Sequence, residues 1–138
     1  MLAGMKPHFR RHATLLAVVA TCLMPAAFAQ ADLVVCRSGA GAVSELAAAG
    51  KPSILAPFPF AADDHQTRNA EALEHAGAAR LVRDAECTGE KLFAVVQELA
   101  AGPGSLENMG ERARQFARPG AALRAAEILE AAAGMPGR

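Results

Sequence analysis

The sequence predicts an α/β fold in which a small parallel sheet carries helices on its faces. Short apolar runs rich in β-branched residues alternate with longer segments of helix-forming sequence. Such uninterrupted apolar runs are typical of strands that are buried on both faces. Glycine or proline follows most of the runs and helical segments, and these residues mark the turns between strand and helix.

Composition narrows the classes of function. The 138 residues are enough for one domain, the net charge is zero, and the chain contains neither Trp nor Tyr. Because there is no basic stripe and no aromatic series, we do not expect nucleic-acid binding. Cys22, Cys36 and Cys87 are widely separated and lack the spacing of a zinc site. We therefore expect free thiols in a reducing compartment.

The beginning of the chain has the outline of a secretory signal. Basic residues precede the apolar stretch 13–24, and residues 27–29 resemble a signal-peptidase site. The stretch is too short to span a bilayer as a helix. We leave two interpretations open for residues 1–23, a signal-like leader or unrelated sequence joined to a truncated gene. The domain itself is expected to occupy residues 24–138.

The chain is organised around its first predicted strand–turn–helix unit. Residues 33–36 predict a buried strand, residues 37–41 a glycine-containing turn, and residues 42–49 a helix. Such a helix start brings free backbone N–H groups and the positive end of the helix dipole to one spot, which suits a phosphate. Glu45 follows about one turn later and could accept hydrogen bonds from paired sugar hydroxyls. The spacing matches neither a dinucleotide fingerprint nor a P-loop, so an ordinary strand–helix turn stays an alternative.

The remaining elements alternate in the same way. Residues 53–56 predict a second strand, followed by a proline-interrupted loop at the edge where open α/β sheets bind ligands. Asp64 is expected to cap a helix over residues 65–76, and residues 79–82 predict a third strand. Three further helices are predicted, over residues 89–101 with Thr88 as cap, 105–117 with Ser105 as cap, and 121–133. Three strands predict an incomplete sheet with an exposed edge.

Two motifs resemble the C-terminal, donor-binding half of family 28 glycosyltransferases. One is Arg37-Ser38-Gly39-Ala40 with Ser44-Glu45, and the other is Asp63-Asp64-His65-Gln66 with Asn69-Ala70. The resemblance is greatest to members that add N-acetylglucosamine to the undecaprenyl-linked muramyl-pentapeptide precursor of peptidoglycan. It implies a partial Rossmann-like parallel sheet with flanking helices, as in the C-terminal half of a two-domain GT-B glycosyltransferase.

The resemblance also implies a donor site for UDP-N-acetylglucosamine. The helix start would lie at the pyrophosphate without a tightly bound metal, and Glu45 would hold the ribose hydroxyls. Gln66 and Asn69 would hydrogen-bond the sugar from one face of a helix, with His65 in the same pocket. The expected donor-binding residues are Arg37, Ser38, Gly39, Ala40, Gly41, Ala42, Glu45, His65, Gln66 and Asn69.

Of these donor-binding residues, one differs from the residue common in the family and one has two possible partners. Ala42 is often threonine in the family, and loss of that hydroxyl removes a hydrogen bond to phosphate worth about 1 kcal/mol. Arg37 could contact a phosphate or merely an internal carboxylate, and the sequence does not choose between them.

A metal site is not expected. Asp63, Asp64 and His65 have side chains that can bind metals, but no second His or Cys stands at ligand spacing.

The activity implied by the resemblance is hexosyl transfer without a cofactor. In such enzymes the acceptor site, the general base and the membrane association come from the N-terminal half, so we expect this chain alone to be inactive. Its partner would be a separately encoded N-terminal half, in the cytoplasm or at the inner face of the plasma membrane. The alternatives are a non-catalytic module that binds a nucleotide sugar or a protein partner, and a small exported protein if the leader functions.

Overall fold

The computed structural model describes residues 16–17, 27–28 and 30–134 of the chain. It contains one parallel sheet with strand order β1-β2-β3-β4. The strands are β1 Leu16–Ala17, β2 Val34–Cys36, β3 Ser53–Leu55 and β4 Arg80–Leu81. Strands β2 to β4 confirm the three predicted strands, each one or two residues shorter than expected. Strand β1 was not predicted. It lies within the segment interpreted as a leader and pairs with the start of β2.

Five helices confirm the predicted helical segments. They are α1 Ala40–Ala49, α2 His65–His75, α3 Gly89–Ala101, α4 Ser105–Arg114 and α5 Ala121–Ala132. Two short 3₁₀ turns, Ala62–Asp64 and Asp84–Glu86, lie before α2 and α3. The main difference in bounds is at α4, which ends three residues before the predicted position.

Two of the three predicted helix caps are wrong. Thr88 does cap α3, because its hydroxyl oxygen accepts a hydrogen bond of 3.2 Å from the backbone N–H three residues later. Asp64 precedes α2 in a left-handed conformation, and its carboxylate instead accepts a 2.6 Å hydrogen bond from the Thr67 hydroxyl. Ser105 is already inside α4, where Gly104 occupies the cap position with φ 71°.

Two apolar clusters cover the two faces of the sheet. Ile54 and Leu55 are adjacent in β3 and fully buried, and successive strand residues point to opposite faces. Leu55 belongs to a cluster with residues of α1 and α2, whereas Ile54 belongs to a cluster with residues of α3. Helices therefore flank both faces, as the fold class requires.

Helix α4 closes the amino-terminal side of the sheet. It packs against both α1 and α3. Gly110 is needed there, because a Cβ at this position would lie 2.5 Å from the Gly50 carbonyl oxygen. Gly50 in turn has φ 61° and ends α1. This close approach holds α1 in place from the side opposite to its first turn.

Helix α5 differs from the other helices in its exposure. Leu123, Ile128 and Leu129 are each more than 60% exposed, and no residue of α5 is buried. No helix among the described residues is long and apolar enough to cross a membrane.

Candidate functional site

The predicted site residues gather at the carboxyl ends of β2 and β3. In a parallel sheet these ends share one edge, and the loops that leave it are where ligands of open α/β sheets bind. The turn after β2 carries the first sequence motif, and the loop after β3 leads into α2 with the second. The fold thus brings together at one edge two motifs whose first residues, Arg37 and Asp63, are 26 positions apart in the sequence.

Arg37 holds the loops of this edge together. Its Nη1 donates hydrogen bonds to the carbonyl oxygens of Ala56 at 3.2 Å and Pro57 at 3.0 Å. The same guanidinium forms an ion pair with Asp84 after β4, and it lies 5.7 Å from the centre of the Phe58 ring. Of the two partners the sequence left open for Arg37, the structure contains the internal carboxylate.

Ser38 joins the two motifs directly. Its side chain is fully buried, and its hydroxyl donates a 2.8 Å hydrogen bond to the backbone carbonyl of Gln66. In return, Nδ2 of Asn69 donates a 3.0 Å hydrogen bond to the backbone carbonyl of Ser38. These reciprocal bonds tie the turn before α1 to the first turn of α2. The sequence placed Ser38 in the site but did not predict this link.

The start of α1 is open. Val43 N–H makes the first helical hydrogen bond, to the Gly39 carbonyl at 3.0 Å, and no side chain caps the helix. The N–H groups of Ala40, Gly41 and Ala42 therefore have no partner within the helix.

The two glycines of this turn are not required by the fold. A Cβ at Gly39 or Gly41 would meet no atom within 4 Å. Neither residue has a positive φ; Gly39 is extended, with φ −63° and ψ 151°. This contrasts with Gly110, where packing leaves no room for a side chain.

Glu45 and His65 are exposed side chains near this edge. Glu45 makes no hydrogen bond with any residue that the structure describes. Nδ1 of His65 lies 2.6 Å from the Ala62 carbonyl oxygen. Because a carbonyl can only accept, Nδ1 is the donor in this contact.

The loop before α2 has an uncommon backbone conformation. Asp63 and Asp64 both adopt left-handed φ values, 51° and 52°, which few residues other than glycine take. Backbone strain of this kind tends to concentrate at functional sites. These residues lead directly into His65 and Gln66.

Gln66 is anchored to the same loop by its side chain. Its Oε1 accepts a 3.0 Å hydrogen bond from the backbone N–H of Phe58. The Phe58 ring contacts Phe60 edge to face, with ring centres 5.7 Å apart. Phe58 is 42% and Phe60 84% exposed, so an aromatic pair lies beside the predicted sugar-binding amides. This aromatic pair was not predicted from the sequence, although the Pro-Phe-Pro-Phe run at residues 57–60 could have indicated it.

Other features lie outside this edge. Within the described ranges, no three His, Cys, Asp or Glu side chains are arranged as metal ligands. A cavity of about 700 Å³ lies at the amino-terminal ends of the strands, lined by Gly50, Pro52 and Gly110 among others, and includes none of the predicted site residues. Burial raises the pKa of the Cys36 thiol to about 11, so this thiol stays protonated and unreactive at neutral pH.

Comparison with known proteins gives consistent matches. The glycosyltransferase family 28 C-terminal domain matches residues 16–124. The UDP-N-acetylglucosamine–N-acetylmuramyl-(pentapeptide) pyrophosphoryl-undecaprenol N-acetylglucosamine transferase of Solibacter usitatus (strain Ellin6076) is 77% identical over 107 residues, which are 78% of this chain and 29% of that protein. The enzyme of the same name from Myxococcus xanthus (strain DK1622) is 50% identical over 76% of this chain and 27% of its own length.

A crystal structure also resembles the fold of this chain. The crystal structure of Acinetobacter baumannii MurG superposes with a TM-score of 0.72 and 35% identity, covering 85% of this chain and 33% of that one. This chain therefore spans about a third of the length of the proteins it matches, or slightly less.

Proposed function

Because the chain belongs to glycosyltransferase family 28, whose C-terminal domain it matches, we propose that it binds UDP-N-acetylglucosamine at the carboxyl edge of its sheet. The observation that carries the proposal is the start of α1, where two glycines occur that neither packing nor φ requires. A ligand that approaches the backbone closely would account for them. The nucleotide sugar is the one that the matched transferases are named for.

The diphosphate would lie against the N–H groups of Ala40, Gly41 and Ala42. Its negative charge is favoured there by the helix dipole and by unfilled backbone donors. Glu45 is exposed on the same helix and would accept hydrogen bonds from the ribose hydroxyls. Gln66 and Asn69 would bind the sugar, with His65 beside them. The same helix start would offset the negative charge that develops on the leaving UDP.

In the whole enzyme we propose inverting glycosyl transfer. A hydroxyl of the lipid-linked acceptor would attack the anomeric carbon of the sugar, forming the new C–O bond. The bond to the β-phosphate oxygen would break, and UDP would leave against the start of α1 as the acceptor loses its proton to a base. Because this chain spans less than a third of its sequence relatives, we propose that base and acceptor site belong to a separate N-terminal half.

We place this function on the cytoplasmic side of the membrane, where nucleotide sugars are made. The family match begins at residue 16, and β1 pairs with β2. Removal of a leader after residue 29 would delete this strand. That consequence argues against the interpretation of the first residues as an export signal.

Calorimetric titration of the 138-residue chain tests the donor site. We expect UDP and UDP-N-acetylglucosamine each to bind at one site, and Glu45→Ala to weaken both by about 1.5–3 kcal/mol, the value of hydrogen bonds to a charged group. Glu127→Ala is the matched control, because Glu127 is also an exposed helical glutamate. Equal affinities of the wild type and Glu45→Ala would remove Glu45 from the ribose role.

A transfer assay separates the enzyme from a non-catalytic binding module. We expect no transfer of radiolabelled sugar to a lipid-linked acceptor by the chain alone, because transfer needs both substrates held in reacting geometry. Adding a separately expressed N-terminal half of the Solibacter relative should restore transfer. Turnover by the isolated chain would contradict this division of roles, and absence of turnover with both halves would favour the binding module.

A further inference from the structure

Resting on the proposed donor site, we propose that Asp84 is a positioning residue for that site. Its carboxylate holds the Arg37 guanidinium in the orientation in which Arg37 joins the ends of β2 and β3. None of the expected donor-binding residues lies in β4 or in the turn that follows it. Strand β4 would thus contribute to donor binding through Arg37 alone.

The loop after β3 is held by side chains from elsewhere in the fold. Strand pairing ends at Ala56, and the next residue, Pro57, has no backbone N–H to donate. Among the described residues, two side chains join the loop beyond Ala56 to other parts of the fold. Arg37 donates to the Pro57 carbonyl at 3.0 Å, and Gln66 accepts from the Phe58 N–H at 3.0 Å. The conformation of this loop therefore depends on where the Arg37 side chain lies.

The Arg37 side chain does not fix its own position. It is long, flexible and half exposed. The carbonyl oxygens of Ala56 and Pro57 are neutral acceptors, and both contact the same nitrogen, Nη1. The Asp84 carboxylate also contacts Nη1, and it is the charged acceptor among the partners that the structure describes. Because a charged acceptor forms the stronger hydrogen bond, Asp84 selects the orientation of the guanidinium.

Asp84 stands on a firmly held part of the backbone. Val82, two residues earlier, is buried, and its N–H donates to the Leu55 carbonyl at 2.9 Å. Asp84 then begins a 3₁₀ turn, in which its carbonyl accepts a 3.1 Å hydrogen bond from the Cys87 N–H. An aspartate side chain also has less rotational freedom to lose than an arginine side chain. The short side chain on the fixed turn therefore orients the long one.

The same contacts bear on a role of Arg37 as a phosphate ligand. Asp84 already balances the charge of the guanidinium, which also lies 5.7 Å from the centre of the Phe58 ring. Held in this way, Arg37 serves the site by placing the loop that carries Phe58, and the diphosphate is left to the start of α1. Loss of Asp84 should then weaken binding of the sugar, which would lie beside that loop, more than binding of UDP.

Calorimetric titration of single and double variants tests the proposal. We expect Asp84→Ala to lower the ratio of UDP-N-acetylglucosamine to UDP affinity about fivefold, toward the lower end of couplings within one hydrogen-bond network. Its thermal unfolding midpoint should stay within about 2 °C of wild type, because an exposed ion pair stabilises a fold little. In an Arg37→Ala background, Asp84→Ala should not change the ratio further. A fall by the same factor in both backgrounds would overturn the proposal, because Asp84 would then not act through Arg37.

Glu71→Ala is the matched control. It breaks the ion pair of the neighbouring residue, Arg83, and the side chains of Glu71 and Asp84 are almost equally exposed, at 39% and 38%. This variant should keep the wild-type affinity ratio. An equal fall in Glu71→Ala and Asp84→Ala would mean that any loosening of the turn after β4 disturbs the site, which also overturns the proposal.

A measurement without ligand separates this proposal from the donor site itself. In the unliganded ¹⁵N-labelled chain, Asp84→Ala and Arg37→Ala should both shift the backbone amide signal of Phe58 and speed its hydrogen exchange with water. Glu71→Ala should leave the signal and its exchange rate at the wild-type values. If the folded wild type binds neither ligand, the donor site is wrong, while the Phe58 signal still decides whether Asp84 orders the loop. An unchanged Phe58 signal in Asp84→Ala would contradict the positioning role.

Discussion

Helices α1 and α3 begin in different ways on the same sheet. At α3 the chain satisfies its own helix start, because the Thr88 hydroxyl accepts from a backbone N–H and Glu90 lies in the first turn. At α1 the cap position is Gly39, no side chain accepts from the free N–H groups, and the first turn contains no acidic residue. The start of α3 is therefore capped by a side chain, whereas the backbone N–H groups at the start of α1 are not capped.

The absence of a side-chain cap alone does not mark a site, because α2, α4 and α5 lack one as well. What distinguishes α1 is its surroundings. Its start lies at the carboxyl end of β2, and its glycines are not required by packing. Ser38 also joins it to α2, through the backbone carbonyl of Gln66 and the side-chain amide of Asn69. A missing cap costs about 1 kcal/mol of stability, which a bound phosphate would offset.

Among changes at the two helix starts, the largest effect is expected from giving α1 a side-chain cap like the one at α3. Gly39→Ser supplies a capping hydroxyl and fills the open space beside the turn. We expect the UDP affinity to fall at least about tenfold, or 1.4 kcal/mol, because the new side chain competes for the N–H groups. The free energy of unfolding should stay the same or rise. Calorimetry and urea unfolding measure the two quantities.

The control for that change is Gly89→Ser at the start of α3. Gly89 also has open space around its Cα, so the substitution is equally tolerable. It should leave UDP affinity unchanged. If Gly39→Ser binds UDP as tightly as wild type, the open start of α1 is not the phosphate site.

A smaller effect is expected from opening α3. Thr88→Ala removes the one side-chain cap among the described helices, which should lower the free energy of unfolding by about 1 kcal/mol. UDP affinity should not change. Urea unfolding beside a UDP titration checks both, and weakened UDP binding would mean that the two helix starts are not independent.

The smallest expected effect is on how the free energy of unfolding depends on pH, and it comes from the Glu90 carboxyl. Hydrogen bonds from its own backbone N–H and from the Thr88 hydroxyl lower the pKa of the Glu90 carboxyl in the folded state. The charged form therefore adds stability above its ordinary pKa of 4.5, and this contribution is lost as pH falls through the lowered folded value. Glu90→Gln should flatten the pH dependence of unfolding slightly below pH 4.5. An identical profile in wild type and Glu90→Gln would contradict the assignment.

The sequence predicted the elements well because their signals are local. Strands β2 to β4 are apolar runs, and α3 has both a 3–4 spaced apolar stripe and a true cap. The caps at Asp64 and Ser105 were mispredicted, because capping depends on backbone conformation that residue type does not fix. Strand β1 was missed because two residues within a basic-flanked apolar stretch look the same as part of an export signal.

The site was predictable only through motif resemblance, and only in part. The motifs identified Ser38, Gln66 and Asn69, but not the hydrogen bonds that connect them across 28 and 31 residues of chain. Arg37 could not be assigned because its partner Asp84 lies 47 residues away and adjoins it only after β4 joins the sheet. Contacts between distant residues depend on topology, which local patterns do not encode.

An NMR titration of the ¹⁵N-labelled chain with UDP tests directly whether the start of α1 binds a phosphate. We expect saturable chemical-shift changes at the backbone amides of Ala40, Gly41 and Ala42, since their N–H groups would receive the diphosphate. The chemical shifts of the backbone amides of Glu90 and Lys91, at the capped start of α3, should not change. Shifts of equal size at both helix starts, or none at α1 in a folded chain, would contradict the claim that α1 is left open for a phosphate.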